Sequence, residues 1–333
     1  MPQNPEAKLV SNILDLASIE QLPIRNGFGD GLVIAGDADP NVVALCADLT
    51  ESTRTEPFSK KYPQRFVEMG VAEQNLAAVA SGMAAMGKVP FISSYAMFSP
   101  GRNWEQIRTT IGYNSQHVVV AGAHAGVSVG PDGATHQAIE DMAIMRVIAN
   151  MTVIAPCDAH EARKATIAAA TWTGGPVYVR LAREKTPVLT TPETPFQIGK
   201  AQIFWLPSNN PEAVIVACGS LVHNAVLAAA QLEQEGLHVA VVNNPSVKPI
   251  DEETVSDAAR SAGAIVTVEE HQVMGGMGSA VAEVLARTCP VPIEFVGVQN
   301  RFGESGQPNE LIEKFGMGVE SIKNAVKKVI SRK

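Results

Sequence analysis

The sequence predicts an α/β protein of two doubly wound domains, and three observations carry that expectation. Short β-branched runs are apolar on both faces, as strands inside a covered parallel sheet are. They alternate with longer alanine-rich stretches of helical length, the β-α-β-α order of a doubly wound sheet. The alternation breaks once, at the proline-rich stretch EKTPVLTTPETPFQIGK (184–200), and then resumes. Such a stretch reads as a linker, and 333 residues leave room for two or three domains. The expected boundaries are 1–190 for the first domain, 184–200 for the linker and 201–333 for a second, smaller one.

In chain order, the first-sheet strands are predicted at VVALCAD (42–48), VPFISS (89–94), HVVVAGA (117–123), MTVIAP (151–156) and PVYVRL (176–181). Helices are predicted over 71–86, 102–112, 136–148 and 158–172. Beyond the linker, strands fall at AVIVACGS (213–220), HVAVVN (238–243), AIVTVEE (264–270) and IEFVGV (293–298). The intervening helices are predicted at 222–235, 251–262, 277–287 and 308–331. No internal repeat and no low-complexity segment stands out.

Composition narrows the function classes. Apolar residues make up 46% of the chain and charged residues 18%, enough to bury a sizeable core. The net charge of −8 comes without any basic block, so a nucleic-acid surface, which needs clustered Lys and Arg, is not expected. Nothing approaches the roughly 18 uninterrupted apolar residues of a membrane span. The start, MPQNPEAKLV, lacks a basic-then-apolar leader pattern. Cys46, Cys157, Cys218 and Cys289 are far apart and form no C-x-x-C pair, the usage of reduced, buried thiols. A soluble cytoplasmic protein is the expectation.

Ligands of open parallel sheets gather at the carboxyl ends of strands, and four such loops here are polar. CADLTEST (46–53) offers Asp48 and Ser52, and SSYAMFSPGRNW (93–104) offers aromatic rings. GAHAGVSVGPDGATHQ (122–137) offers His124, Asp132 and His136, among glycines that permit close ligand approach. RLAREKT (180–186) offers Arg180 and Arg183. A lone histidine there could equally cap a turn; three polar side chains in one loop favour a ligand, although the spacing is not that of a metal motif such as H-E-x-x-H. GGMG, opening the helix predicted at 277, lacks the third glycine of a dinucleotide cradle because Val281 stands there, and reads as a tight turn.

Glu73 is the single charged residue of GVAEQNLAAVASGMAAMG (70–87). At a helix start it could simply complement the macrodipole. On a tightly packed, uncharged helix, desolvation could also make it a usable acid or base near neutrality. Spacing alone leaves both open.

Three stretches, in this order, resemble the transketolase family of thiamine-diphosphate enzymes: GVAEQNLAAVASGMAAMG, GPDGATHQAIEDMAIMRVIANMTVIAP and VTVEEHQVMGGMGSAVAE. The likeness covers nearly the whole chain and corresponds to the second half of a standard transketolase, a pyrimidine-binding domain plus a C-terminal domain. The G-D-G…N motif, through which the family holds Mg²⁺ and the cofactor's diphosphate, has no counterpart here. The resemblance therefore implies one subunit of a split transketolase, completed by a separate N-terminal, diphosphate-binding subunit as partner. Two copies of each, with self-association of this chain, are expected, acting on phosphorylated sugars.

The resemblance also implies roles residue by residue. Glu73 would bond the cofactor pyrimidine and favour its imino tautomer, as a proton relay. Tyr95 and Phe98 would pack on that ring, and Asp48 would lie close to the cofactor. Asp132 and His136 would contact the donor's hydroxyl and C1 oxygen. Arg25, Ser52, His124 and Arg183 would grip the sugar phosphate. One position departs: where the family usually places a further aromatic, three residues after Phe98, stands Gly101. SPGRNW inserts a turn there, and whether Arg102 or Trp104 replaces the missing ring stays open. Alternative readings are the β subunit of a 2-oxoacid dehydrogenase decarboxylating component, a deoxyxylulose-phosphate synthase relative, and a non-catalytic scaffold of the same fold.

Overall fold

The computed structural model describes residues 3–333. A short strand, Gln21–Pro23 (β1), leads into helix Ile24–Ala38 (α1) and strand Val42–Cys46 (β2). Helix Glu56–Lys61 (α2), strand Phe66–Glu68 (β3), helix Glu73–Ala85 (α3) and strand Val89–Tyr95 (β4) follow. Next come the single turn Trp104–Gln106 (α4), which widens into a π-helical turn at Ile107–Gly112, and strand Val119–Ala123 (β5). Helix Asp141–Arg146 (α5), strand Thr152–Ile154 (β6), helix Ala159–Ala170 (α6) and strands Val177–Arg180 (β7) and Lys185–Pro187 (β8) complete the first half.

The second half runs through strands Gln202–Trp205 (β9) and Ala213–Ala217 (β10), helix Val222–Gln234 (α7), and strands Val239–Asn243 (β11) and Ser246–Lys248 (β12). Helix Glu252–Ala262 (α8), strand Ile265–Gln272 (β13), helix Met277–Thr288 (α9) and strand Ile293–Val298 (β14) lead to helices Pro308–Lys314 (α10) and Val319–Ile330 (α11).

The first sheet has seven strands in the order β12-β6-β7-β5-β4-β2-β3, and the second has five in the order β14-β13-β10-β11-β9. Pairing is parallel in both, except for the edge strands β12 and β9. Every residue of β2, β5, β10 and β11 is buried, as the doubly apolar runs require. The first sheet carries α1 and α6 on one face and α3 with Met142 and Met145 on the other. In the second sheet, α7 and α11 cover one face and α8 and α9 the other. Because β12 comes from the second half yet pairs with β6, the two halves share a sheet edge.

Several expectations needed correction. α1 was hidden because its four glycines depress helix propensity. Those at 27, 29 and 31 are there for contact: a Cβ on Gly27 would lie 1.8 Å from the Ala159 carbonyl oxygen of α6. Ile24, Phe28, Leu32 and Ala35 supply the buried stripe instead. The helix expected at 136–148 is confined to α5, and the one expected at 308–331 divides at Gly316, whose φ of 73° ends α10. Residues 184–200 are tied to the first half. β8 pairs with β1, and the buried carboxylate of Asp158 accepts bonds from the Leu189 and Thr190 amides and the Thr190 hydroxyl. All four cysteines are unpaired, and Cys46, Cys157 and Cys218 are buried. Among the described residues no helix is long and apolar enough to cross a membrane.

Candidate active site at the carboxyl edge of the first sheet

Loops leaving β2, β3, β4, β5 and β7, together with the start of α1, place the candidate residues at one edge of the first sheet. Glu73 is the first residue of α3 and is only 3% exposed. Its Oε2 accepts a 2.7 Å bond from Arg102 Nη1. The Asn103 side chain donates to the Glu73 carbonyl at 2.9 Å and to Ser99 Oγ at 3.2 Å, fastening the 99–103 turn to the head of α3. The guanidinium of Arg102 also lies over the Phe98 ring, 4.6 Å from its centroid. Trp104 points elsewhere, its indole donating to the Ile144 carbonyl.

The rings form one cluster. Tyr95 stacks on His124 at 3.8 Å between centroids and on Phe98 at 6.1 Å. His136 stands edge-on to both Tyr95 and Phe98, and its Nδ1 is 2.9 Å from Thr135 Oγ1. Such flat faces suit a planar heterocycle.

Beside them is a cationic pocket. Arg25 Nη1 donates to the Ser52 carbonyl at 2.7 Å and contacts His124 Nε2 at 3.2 Å. Burial, then the charges of Arg25 and Arg183, push His124 down to about 3, so it is neutral and Nε2 accepts from Arg25. Burial and the neighbouring Arg54 and Arg183 also lower Arg25. Arg183 donates to the Val129 carbonyl and pairs with Glu184.

Not every candidate joins this cluster. Asp132 is exposed at the end of the 3-10 turn Val127–Asp132. Asp48 is exposed in a left-handed conformation (φ 58°), its amide donating to Glu68. Arg180, offered by the 180–186 loop, is buried in an ion pair with Asp141 and takes no part. The Met277 and Gly278 amides at the GGMG turn already donate to the buried Glu269 carboxylate, which excludes a phosphate there. The residues missed by sequence reasoning are Asn103 and the Arg102 pairing. Their only signal was the departure at Gly101.

The chain's fit to thiamine diphosphate can be judged from its own atoms. Ser94 Oγ, Arg25 Nε and His124 Nδ1 are buried without a partner, hydrogen-bonding capacity that a bound ligand could satisfy. With an acceptor at Glu73 and the ring faces alongside, the set fits an aminopyrimidine next to an anionic substrate. Among the described residues no group of three or more His, Cys, Asp or Glu is placed to hold a metal ion. A cavity of about 920 Å³ between β9, the 207–211 loop and α8 is lined by none of these residues.

Two covered parallel sheets, with a buried carboxylate and aromatic rings at the edge of the first, make up the α/β fold and its candidate site. Residues 20–188 match the transketolase pyrimidine binding domain and residues 200–322 the transketolase C-terminal domain. The chain belongs to the transketolase family. It is 41% identical to a putative transketolase C-terminal section of Methanocaldococcus jannaschii, covering 90% of this chain and 93% of that protein. It is 38% identical to the 6-deoxy-6-sulfo-D-fructose transketolase subunit SqwH of a Clostridium species, covering 95% and 97%. A solved structure described as a split gene transketolase, an inactive β4 tetramer, superposes with a TM-score of 0.86 at 43% identity, covering 93% of this chain and 99% of that one. Neither the oxoacid-dehydrogenase nor the deoxyxylulose-phosphate reading is favoured by these relatives.

Proposed function

We propose that this chain is the pyrimidine-binding subunit of a split transketolase, moving a two-carbon ketol unit from a ketose phosphate to an aldose phosphate. The observation that carries the reading is the meeting of buried Glu73, the Tyr95–Phe98–His136 rings and the Arg25–His124 pair at one sheet edge. The domains divide at the 184–200 segment, with the reaction site in 1–190 and the C-terminal domain in 201–333. Thiamine diphosphate, when bound, supplies the nucleophilic carbon. Glu73 holds a proton at the pyrimidine ring nitrogen, where its dry setting strengthens the bond. Tyr95 and Phe98 would flank the ring, with Asp48 close to the cofactor. His136 and Asp132, on the open side, orient the donor's oxygens.

Arg25, Ser52, His124 and Arg183 bind the anionic end of the sugar through charge-assisted bonds. Phosphate is our reading of that anion; the relative named for a sulfonated fructose shows the neighbouring chemistry a similar subunit serves. Mg²⁺ and the cofactor diphosphate belong to an N-terminal partner subunit, in a heterotetramer of two plus two. A cytoplasmic place in pentose phosphate interconversion follows from this reading.

The test supplies the chain, alone and with a candidate partner, with thiamine diphosphate, Mg²⁺, xylulose 5-phosphate and ribose 5-phosphate. Sedoheptulose 7-phosphate formed only with the partner is the expected result. Release of CO₂ from a 2-oxoacid, without ketol transfer, would overturn it.

A further inference from the structure

At Gly101 no side chain can exist: a Cβ would lie 2.0 Å from the Met97 carbonyl oxygen. The pocket wall expected from an aromatic residue at this position must come from elsewhere, and Trp104 is turned away into the contact with Ile144. Arg102 is the remaining flat group. It is parked over Phe98 and bonded to Glu73, with its own side chain half exposed. Asn103, bonded to both Glu73 and Ser99, fixes the turn that aims it. One carboxylate oxygen, Oε2, is occupied by Arg102, and among the described residues no hydrogen bond claims Oε1.

We infer that Arg102 is the positioning residue for the pyrimidine end of the site. Its guanidinium plane closes the wall beside Phe98, and its charge fixes one oxygen of Glu73 so that the other is presented to the ligand. The inference rests on the reading of Glu73 given under Proposed function. Arginine suits both tasks because its planar, permanently charged group stacks on a ring face while donating in a fixed direction. Lysine can supply only the charge.

The experiment is a double-mutant cycle on the affinity of the reconstituted two-subunit complex for thiamine diphosphate with Mg²⁺, read by calorimetry. Arg102→Ala weakens binding about 10-fold in the native background, about 1.4 kcal/mol, and only about 2-fold in Glu73→Gln, because the pair is already broken. Arg102→Lys recovers part of the loss. A purely structural role would give the same loss in both backgrounds and so overturns the inference. Tighter binding by Arg102→Ala also overturns it, because the guanidinium would then compete for the cofactor's seat. In both cases weakened binding by Glu73→Gln leaves the proposed function standing. A native complex that binds no thiamine diphosphate overturns that function and this inference together.

Discussion

Two arginine–carboxylate pairs of the first domain, Arg180–Asp141 and Arg102–Glu73, differ in what is left over. Arg180 and Asp141 are both buried, and both oxygens of the acid accept bonds within the protein. Arg180 reaches Asp141 through Nε and Nη2 and also donates to the Ala138 and Glu270 carbonyls, while Tyr178 donates to Asp141 at 2.7 Å. Burial opposes the charge on Asp141, yet Arg180 and His271 hold it below the usual carboxylate range. The Arg102–Glu73 pair has one dry end and one wet end, and an uncommitted carboxylate oxygen. A buried acid with both oxygens engaged marks a knot that joins two domains. Incomplete satisfaction on a buried acid marks a place prepared for something else.

The sharpest way to break this comparison is to remove each acid. Asp141→Ala leaves a buried guanidinium uncompensated, and a loss on the order of 3–5 kcal/mol is expected in urea unfolding. Glu73→Ala lets Arg102 turn to water, so the unfolding midpoint stays near that of the native chain. Turnover of the reconstituted complex nevertheless falls about 10²- to 10⁴-fold, the scale of a lost proton-handling group. If Glu73→Ala unfolds the chain, or Asp141→Ala leaves its stability intact, the distinction between the two pairs collapses.

Sequence reasoning saw one acid and misplaced one arginine. Glu73 stood out as the lone charged residue of the 70–87 stretch, but spacing left a helix-start role and a proton-handling role open, and only the resemblance implied the second. Its pairing with Arg102 was not legible, because that partner is assigned by the turn that Gly101 forces, a tertiary detail absent from any periodicity. Arg180 looked like a ligand group because it ends a strand. Its burial is decided by the Glu270 carbonyl, 90 residues further along the chain. The same limit hid α1: glycines that read locally as breakers are required by close packing on α6. Strands buried on both faces were read to within three residues at each end, since burial is written into their composition.

The cationic pocket tests whether incomplete satisfaction also marks substrate groups. Arg183 already spends one nitrogen on the Val129 carbonyl and Glu184, while Arg25 Nε lacks a partner. Arg183→Ala should raise the KM for a phosphorylated donor about 10-fold or more, as expected for a charge-assisted bond. An unphosphorylated analogue should change by less than about 3-fold on the same argument. Equal effects on both donors would return Arg183 to the class of Arg180.

The smallest effect lies inside the knot, where two buried groups work against each other. Burial pushes Glu269 up to about 7, despite the Gly278 and Met277 amides that favour its charge. An unfolded chain releases that proton near 4.5, so between 4.5 and 7 the folded state holds the extra proton and loses stability as pH rises. Burial pulls His271 down to about 4, against a usual 6.5, although Asp141 nearby favours its charge. Across that window the unfolded state holds the extra proton, so stability rises with pH. His271 Nδ1 is 4.0 Å from Glu269 and its Nε2 is 4.0 Å from Asp141, so the opposing slopes belong to one cluster. Glu269→Gln removes only the first slope. Its stability relative to the native chain should therefore improve between pH 5 and pH 6 by about 1 kcal/mol, the order set by a tenfold change in one proton-binding equilibrium. Urea midpoints at the two pH values measure it. A constant difference would mean that the carboxyl keeps one protonation state throughout, held in its charged form by the Met277 and Gly278 amides.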